Sequence, residues 1–214
     1  MADVSEAAGA DVTVLADAIG YDDRIGRKFL NAGIGFGGGC LPKDIRAFGA
    51  RAGELGADQA LTFLQNVDAI NLRRRSKTVE MARDAVGGSF IGKKVAVLGA
   101  AFKPNSDDIR DSPALNIAAQ ARLQGADVVV TDPAAVANAQ ALWPDLTYAA
   151  TAEEAVTGAD VVLLLTEWPE YTGLDPAALA ALTRTRSIID GRNALDPVVW
   201  RRAGWTYRGI GRAL

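Results

Sequence analysis

The chain contains no histidine and a single cysteine in 214 residues. The first absence removes the commonest metal ligand and the commonest general base, so acid–base chemistry falls to Asp, Glu, Lys, water or the thiol, and no metal site is expected. The second excludes an internal disulfide framework. No uninterrupted apolar run reaches the roughly 18 residues of a membrane span. The opening Met-Ala-Asp-Val-Ser-Glu lacks the basic and apolar regions of a signal peptide, which makes a cytoplasmic protein the default expectation. Charge of one sign is lacking too: 23 basic residues against 26 acidic ones leave a net charge of −3. That balance gives no electrostatic case for nucleic acid or an anionic membrane as the principal partner, although local basic pockets remain open. Length allows a substantial core in one or two domains.

What the chain does have is an uneven distribution of glycine. Residues 29–48 read FLNAGIGFGGGCLPKDIRAF and place Cys40 after a glycine-rich turn, at the start of an expected helix. Gly33, Gly35, Gly37, Gly38 and Gly39 let the backbone take positive φ and approach a ligand, and Pro42 suits a helix's first turn. A sulfur there faces the positive pole of the helix, and with Lys43 nearby the thiolate, the nucleophilic form, is favoured. The competing reading of a lone cysteine is a small buried hydrophobe. Its neighbours, three glycines before and Leu-Pro-Lys-Asp after, are not those of an apolar core run.

Residues 5–87 carry a helical pattern punctuated by Gly20, the glycines at 33–39, and Gly53 with Gly56. Its longest piece runs from Asp58 to Val86, with Leu61, Leu64, Val67, Ile70, Val79, Ala82 and Val86 at three- and four-residue spacing. One helix of that length spans roughly 40 Å and can join two lobes or form a dimer seam. The alternative is two shorter helices with a kink near Asn71. After Gly87-Gly88 the rhythm becomes α/β. Lys94–Leu98, Asp127–Thr131, Val161–Thr166 and Ser187–Asp190 are expected strands, and Ala114–Leu123, Ala134–Leu142, Glu153–Val156 and Pro176–Leu182 expected helices, the first of these capped by Ser112-Pro113 and closed by Gly125. Such alternation implies a parallel sheet covered on both faces, with ligands beyond the carboxyl ends of its strands. The first strand ends in GAAFKP, which is not the G-x-G-x-x-G dinucleotide fingerprint. Its loop instead carries Lys103, Asp107, Asp108 and Arg110, where cations meet phosphate or sugar groups, or simply face solvent.

The stretch around Cys40 resembles the catalytic-cysteine signature of the UDP-glucose/GDP-mannose dehydrogenase family, with Gly39 where the family usually has Ser. GAAFKPNSDDIRDSPAL, TEWPEY, DGRNALDP and YRGIGR resemble that family's C-terminal domain in the same order. The resemblance implies an α/β fold: a helical central region (1–86) with a long connecting helix, then a Rossmann-like parallel-sheet domain (87–214) that binds a nucleotide sugar. It implies NAD-dependent oxidation of a nucleotide sugar, UDP-glucose to UDP-glucuronate, with Cys40 as nucleophile through a thiohemiacetal and thioester. On the same template Asp44 positions or deprotonates water, or serves only as a first-turn carboxylate. Phe29, Leu30, Asn31, Phe36 and Gly37 enclose the nucleotide sugar and Lys103 contacts it. Arg24 reaches a neighbouring subunit's sugar, or is a surface arginine beside Asp22 and Asp23. Arg192 lies near the nucleotide end of the ligand, or pairs with Asp190 or Asp196. Lys43 and Arg110 belong to the NAD side, and a homodimer is expected. Nothing in the chain matches the family's N-terminal G-x-G-x-x-G domain, or the lysine and asparagine of its central helices, so the sequence reads as the later half of such an enzyme. The alternatives are GDP-mannose or another nucleotide sugar as substrate, and a non-catalytic nucleotide-sugar-binding or dimerisation module.

Overall fold

A computed structural model describes residues 1–212. Its first part holds α1 (Ala2–Ala8), α2 (Val12–Gly20), α3 (Leu41–Glu54) and α4 (Asp58–Ala85). Residues 21–40 break the helical pattern expected from 5 to 87. Gly26, Gly35 and Gly38 there adopt φ of 75°, 97° and 91°, conformations closed to a continuing helix. α4 is one helix of 28 residues rather than two joined at Asn71. Asparagine weakens helices when its side chain competes for nearby backbone groups. That of Asn71 is instead committed to the main chain of Phe36, 35 residues away.

From Lys94 onward strands and helices alternate: β1 (Lys94–Leu98), α5 (Pro113–Leu123), β2 (Asp127–Thr131), α6 (Val136–Leu142), β3 (Thr147–Tyr148), α7 (Ala152–Val156), β4 (Val161–Leu164), α8 (Pro169–Thr172), α9 (Pro176–Ala180), β5 (Ser187–Asp190), α10 (Pro197–Arg202) and β6 (Thr206–Gly209). All six strands pair in parallel, in the order β3-β2-β1-β4-β5-β6, with Val97 between Val130 and Leu163. The four strands anticipated from sequence are present. β4 stops at Leu164, because the amides of Leu165 and Thr166 both turn to the carbonyl of Leu98. The sequence pattern did not reveal the two edge strands. β3 has only two residues, and β6 reads Thr-Tyr-Arg-Gly, without an apolar run.

Every residue of β4 and β5, and every residue of β1 after Lys94, is buried, as in a parallel sheet covered on both faces. The second half of α4 is part of that cover: Val79, Met81 and Ala82 belong to the sheet's core cluster, while α4 also packs on α3. α1 is tied to α4 by Asp3 with Arg74 and Lys77, at 2.5 and 2.8 Å, and by Glu6 with Lys77. The chain returns to this corner at its far end. Gly211 N donates to Glu6 Oε1 at 2.8 Å and Arg212 pairs with Asp11 at 2.8 Å.

Asp11 also caps α2 through the amide and hydroxyl of Thr13, at 2.8 and 2.6 Å. Partial burial pushes its carboxyl up, but the bonds from Thr13 and Arg212 outweigh this and hold it below its usual value. A depressed carboxyl contributes stability that is present at neutral pH and is lost as pH falls through the folded-state value, below the ordinary range of about 3.9. Asp11→Asn keeps an acceptor for Thr13 and loses the charge facing Arg212. It is expected to melt lower than the wild type at about pH 7, and the gap is expected to shrink at about pH 3 as Asp11 protonates. Melting curves at the two pH values check this.

Candidate functional site

The glycine-rich segment ends at Cys40, the N-cap of α3, whose thiol is exposed and makes no capping bond. This excludes the reading of a small buried hydrophobe. Pro42 occupies the first turn, where its missing N–H costs nothing. Two glycines fix how the segment lies. A Cβ on Gly37 would stand 2.2 Å from the carbonyl oxygen of Asp111, and one on Gly38, at φ 91°, would stand 2.8 Å from the ring of Phe102. The segment therefore lies directly against the β1–α5 loop, and Gly38 N donates to Arg110 O at 2.9 Å.

Helices α1, α2 and α4, segment 29–37 and the loops after β1, β4 and β5 enclose a cleft of about 690 Å³. Phe29, Leu30, Asn31, Phe36, Gly37, Lys103 and Arg192 all line it, as do Gly35, Phe102 and Glu167. Gly37 and Leu41, on either side of Cys40 in the chain, line it as well. The walls differ in character. Val12, Leu15, Ile19, Val67 and Ile70 form an apolar side, and Lys103, Glu167 and Arg192, beyond the carboxyl ends of β1, β4 and β5, form a charged one with Arg74 of α4. Phe29 is 92 % exposed at the mouth. Lys103 rests its ammonium 5.5 Å from the Phe102 ring centroid.

Arg192 is bound more tightly than the sequence indicated. Its Nε donates to Leu165 O at 2.7 Å and lies 3.3 Å from Glu167 Oε2, while its own backbone N–H donates to Asp190 Oδ1 at 3.0 Å. The expected alternative partners, Asp190 and Asp196, thus give way to Glu167. The Asp190 carboxylate accepts from the amides of Arg192 and Leu195 and from the hydroxyl of Tyr207, and Asp196 caps α10. Burial lowers the pKa of Arg192 below the usual arginine value, with the charges of Glu167 and Asp190 opposing that shift. Burial also raises Asp190 above the usual carboxylate range, against the bonds it accepts.

The remaining expected residues lie outside the cleft lining. Arg24 is exposed and forked onto Asp22, with Nη2 to Oδ2 at 2.6 Å. Lys43 and Asp44 are exposed in the first turn of α3, 3.5 Å apart, so the Lys43 ammonium has a carboxylate partner beside it. Arg110 is the cation that crosses Gly39: a Cβ there would lie 2.6 Å from its guanidinium carbon. Asp108, paired with Arg110 at 2.7 Å, is the main cause raising the Arg110 pKa, and Cys40 adds a smaller contribution. Sequence reasoning missed Asn71, Arg74 and Arg75. The NLRRRS stretch reads as a polar break in an apolar stripe, and a polar break near a glycine-rich loop is the signal that was available.

The switch point between β1 and β4 does not fit a dinucleotide. The amides of Ala100 and Ala101, at the position of a pyrophosphate cradle, both donate to Asp132 Oδ2, at 2.7 and 2.9 Å. The start of α5 is capped by Ser112 Oγ and covered by Gly37. Among the described residues no acidic or sulfur cluster is arranged to hold a metal, and no helix is long and apolar enough to cross a membrane.

Six parallel strands between helices, with a helical arm bearing a cysteine turn, define a protein of the Rossmann-like α/β class. Comparison makes this specific. Residues 1–73 match the central domain, and residues 96–197 the UDP binding domain, of the UDP-glucose/GDP-mannose dehydrogenase family. The chain belongs to that family. It is 40% identical over 213 residues to the UDP-glucose 6-dehydrogenase TuaD of Bacillus subtilis, covering 99% of this chain and 46% of the relative. The UDP-glucose 6-dehydrogenase of Rhizobium meliloti is 38% identical over 212 residues, with 99% and 48% covered. Among solved structures, the UDP-glucose dehydrogenase of Pyrobaculum islandicum superimposes with a TM-score of 0.83 at 32% identity, over 98% of this chain and 46% of that one. An NDP-N-acetyl-D-galactosaminuronic acid dehydrogenase from Methanosarcina mazei gives 0.82 at 29% identity, over 99% and 46%. The chain spans about half the length of the curated relatives it matches.

The contact between Gly37 and Asp111 is directly testable. Gly37→Ala forces the segment away from the α5 loop, and overpacking of this kind costs about 1–3 kcal/mol. The expected result is a lower urea midpoint, measured by circular dichroism.

Proposed function

We propose that the chain carries the nucleotide-sugar site and the cysteine nucleophile of an NAD-dependent UDP-glucose 6-dehydrogenase acting in the cytoplasm. In this reading residues 1–86 belong to the helical central domain and 87–214 form the nucleotide-sugar domain. The observation that carries it is the single cleft lined by Phe29–Asn31, Phe36, Gly37, Lys103 and Arg192, with Cys40 between two of its lining residues in the chain. Lys103 supplies an exposed cation for a diphosphate or sugar oxygen, and Arg192 shapes the nucleotide end. Arg24 projects toward the sugar of a second subunit.

The role of Cys40 follows from thiol chemistry. The thiol adds through sulfur to the carbon of the C6 aldehyde, the two-electron oxidation product of the C6 alcohol, and the carbonyl oxygen takes the thiol proton, giving a hemithioacetal that cannot diffuse away. The oxidised form of that adduct is a thioester. Water, oriented by Asp44, attacks its carbonyl carbon, releases the carboxylate and returns the thiol. NAD is the oxidant in this reading. Lys43 and Arg110, at the edge of the thiol turn, face its side of the site, and the dinucleotide cradle falls to the remaining length of the relatives.

GDP-mannose or another nucleotide sugar is the near alternative substrate, supported by the structural likeness to a dehydrogenase of an N-acetylgalactosamine-derived sugar. A binding or dimerisation module without catalysis of its own is the other alternative, supported by the amides committed to Asp132.

Thermal shift with UDP-glucose, GDP-mannose and NAD separates these readings. UDP-glucose at a hundred times its dissociation constant is expected to add about 2.7 kcal/mol, visible as a rise in melting temperature, with little effect from NAD. A shift with NAD alone overturns the assignment. Once the remaining half is supplied in trans, Cys40→Ala is expected to abolish UDP-glucuronate formation, and full conversion by that variant returns Cys40 to a structural role.

The same reading makes the chain a homodimer. Phe48, Leu55 and Phe63 of the α3–α4 arm are exposed, apolar surface that a second copy would cover. Sedimentation is expected to give twice the 22.4 kDa chain mass at micromolar concentration, and a monomer counts against it.

A further inference from the structure

We propose that Asn71 and Arg75 of α4 are positioning residues that fix the Cys40 turn against the β1–α5 loop and thereby set the reactivity of the thiol. The proposal rests on the reading of Cys40 as the working nucleophile. The two side chains stand one helical turn apart on the same face. Asn71 Oδ1 accepts from Phe36 N at 2.7 Å and its Nδ2 donates to Phe36 O at 3.0 Å, so one amide fills both main-chain groups of that residue. Arg75 adds a second donor to the same carbonyl, Nη2 to Phe36 O at 3.2 Å, and sends Nη1 to Asp111 Oδ1 at 2.8 Å. Both side chains are buried, Asn71 at 4% and Arg75 at 3% exposure.

The geometry joins three pieces of chain. Phe36 is held from α4, Asp111 is held by Arg75 in a left-handed conformation of φ 46°, and Gly38 donates to Arg110 O at 2.9 Å. The turn is therefore fixed at Phe36 and at Gly38, just before Cys40. The thiol makes no capping bond of its own, so its placement, one residue beyond the Gly39 that the Arg110 guanidinium crosses, depends on this frame. A buried arginine whose Nε has no partner is a poor stabilising device, since desolvation offsets much of the gain from the ion pair. Its evident return is position.

Two variants perturb the clamp without emptying a core. Arg75→Met keeps much of the volume and loses its bonds to both Phe36 and Asp111. Asn71→Asp keeps the acceptor for Phe36 N and cannot donate to Phe36 O. In the chain as it stands, Cys40 alkylation by iodoacetamide at neutral pH is expected to slow about tenfold in each variant, the loss of roughly one charge-assisted bond's orientation. Arg75→Lys, which reaches only one of the two partners, is expected to be intermediate. Asp11→Asn lowers stability at a distance and is expected to keep the wild-type rate, which separates positioning from general loosening. Rates within twofold of wild type in both clamp variants overturn the proposal, as does a rate that follows only melting temperature across all four variants. Hydrogen exchange in the wild type tests it without mutation. The Phe36 and Gly38 amides are expected to be protected like those of β1, and exchange at exposed-loop rates overturns it. Failure of UDP-glucose to bind sinks the functional reading instead, and leaves the ligand-free comparison intact.

Discussion

Helix α4 has to satisfy two sets of neighbours with one continuous backbone. Its first half faces α3, where Leu61 and Leu64 lie over Gly49 and Gly53, and its second half sends Val79, Met81 and Ala82 into the core under the sheet. A rigid rod shared in this way fixes the distance and angle between the cysteine turn and the strand ends. The polar stretch between the halves is where the rod meets the glycine-rich segment, and there Asn71 and Arg75 replace apolar contacts by hydrogen bonds to backbone. The mixed spacing of α4 reflects this division: its apolar residues change direction because the neighbour changes.

On the charged side of the cleft, three main-chain carbonyls converge on one side-chain cation. Arg192 reaches Leu165 O and lies near Gly35 O and Phe102 O, at 3.4 and 3.5 Å, which brings together the loops after β1 and β4 and the glycine-rich segment. Lys103 is left exposed at the mouth. One arginine thus shapes the pocket while a neighbouring lysine stays exposed beside it. Arg and Lys suit these tasks differently, the first as a planar multi-point donor and the second as a mobile point charge.

The sequence made the central strands legible because each is a short run of β-branched and aliphatic residues closed by a turn. It also located the cysteine turn, since five glycines within seven residues followed by Leu-Pro-Lys-Asp leave few structural choices. The length of α4 was legible from its apolar recurrence. What escaped were features that depend on partners far along the chain. The edge strand β6 carries Arg208 and Gly209 because only one side of it is paired. Asn71 and Arg75 gave no local sign of their attachment to Phe36 and Asp111, and the partner of Arg192 was misassigned because Glu167 lies in a different strand-end loop. Residues facing solvent in the first turn of α3 were legible as charges, but their pairing with each other was not.

Asp132 adds a further consequence. Its two oxygens receive the amides of Ala100, Ala101, Ala134 and Ala135 and the indole N–H of Trp168, all between 2.7 and 3.1 Å. The loops after β1 and β2 are therefore organised around a counter-ion that belongs to the chain itself. A phosphate-binding turn that relies on its ligand to neutralise converging N–H groups loses order when the ligand leaves. Here the ordering entropy is met during folding, so the strand-end wall holds its shape without any ligand to neutralise it.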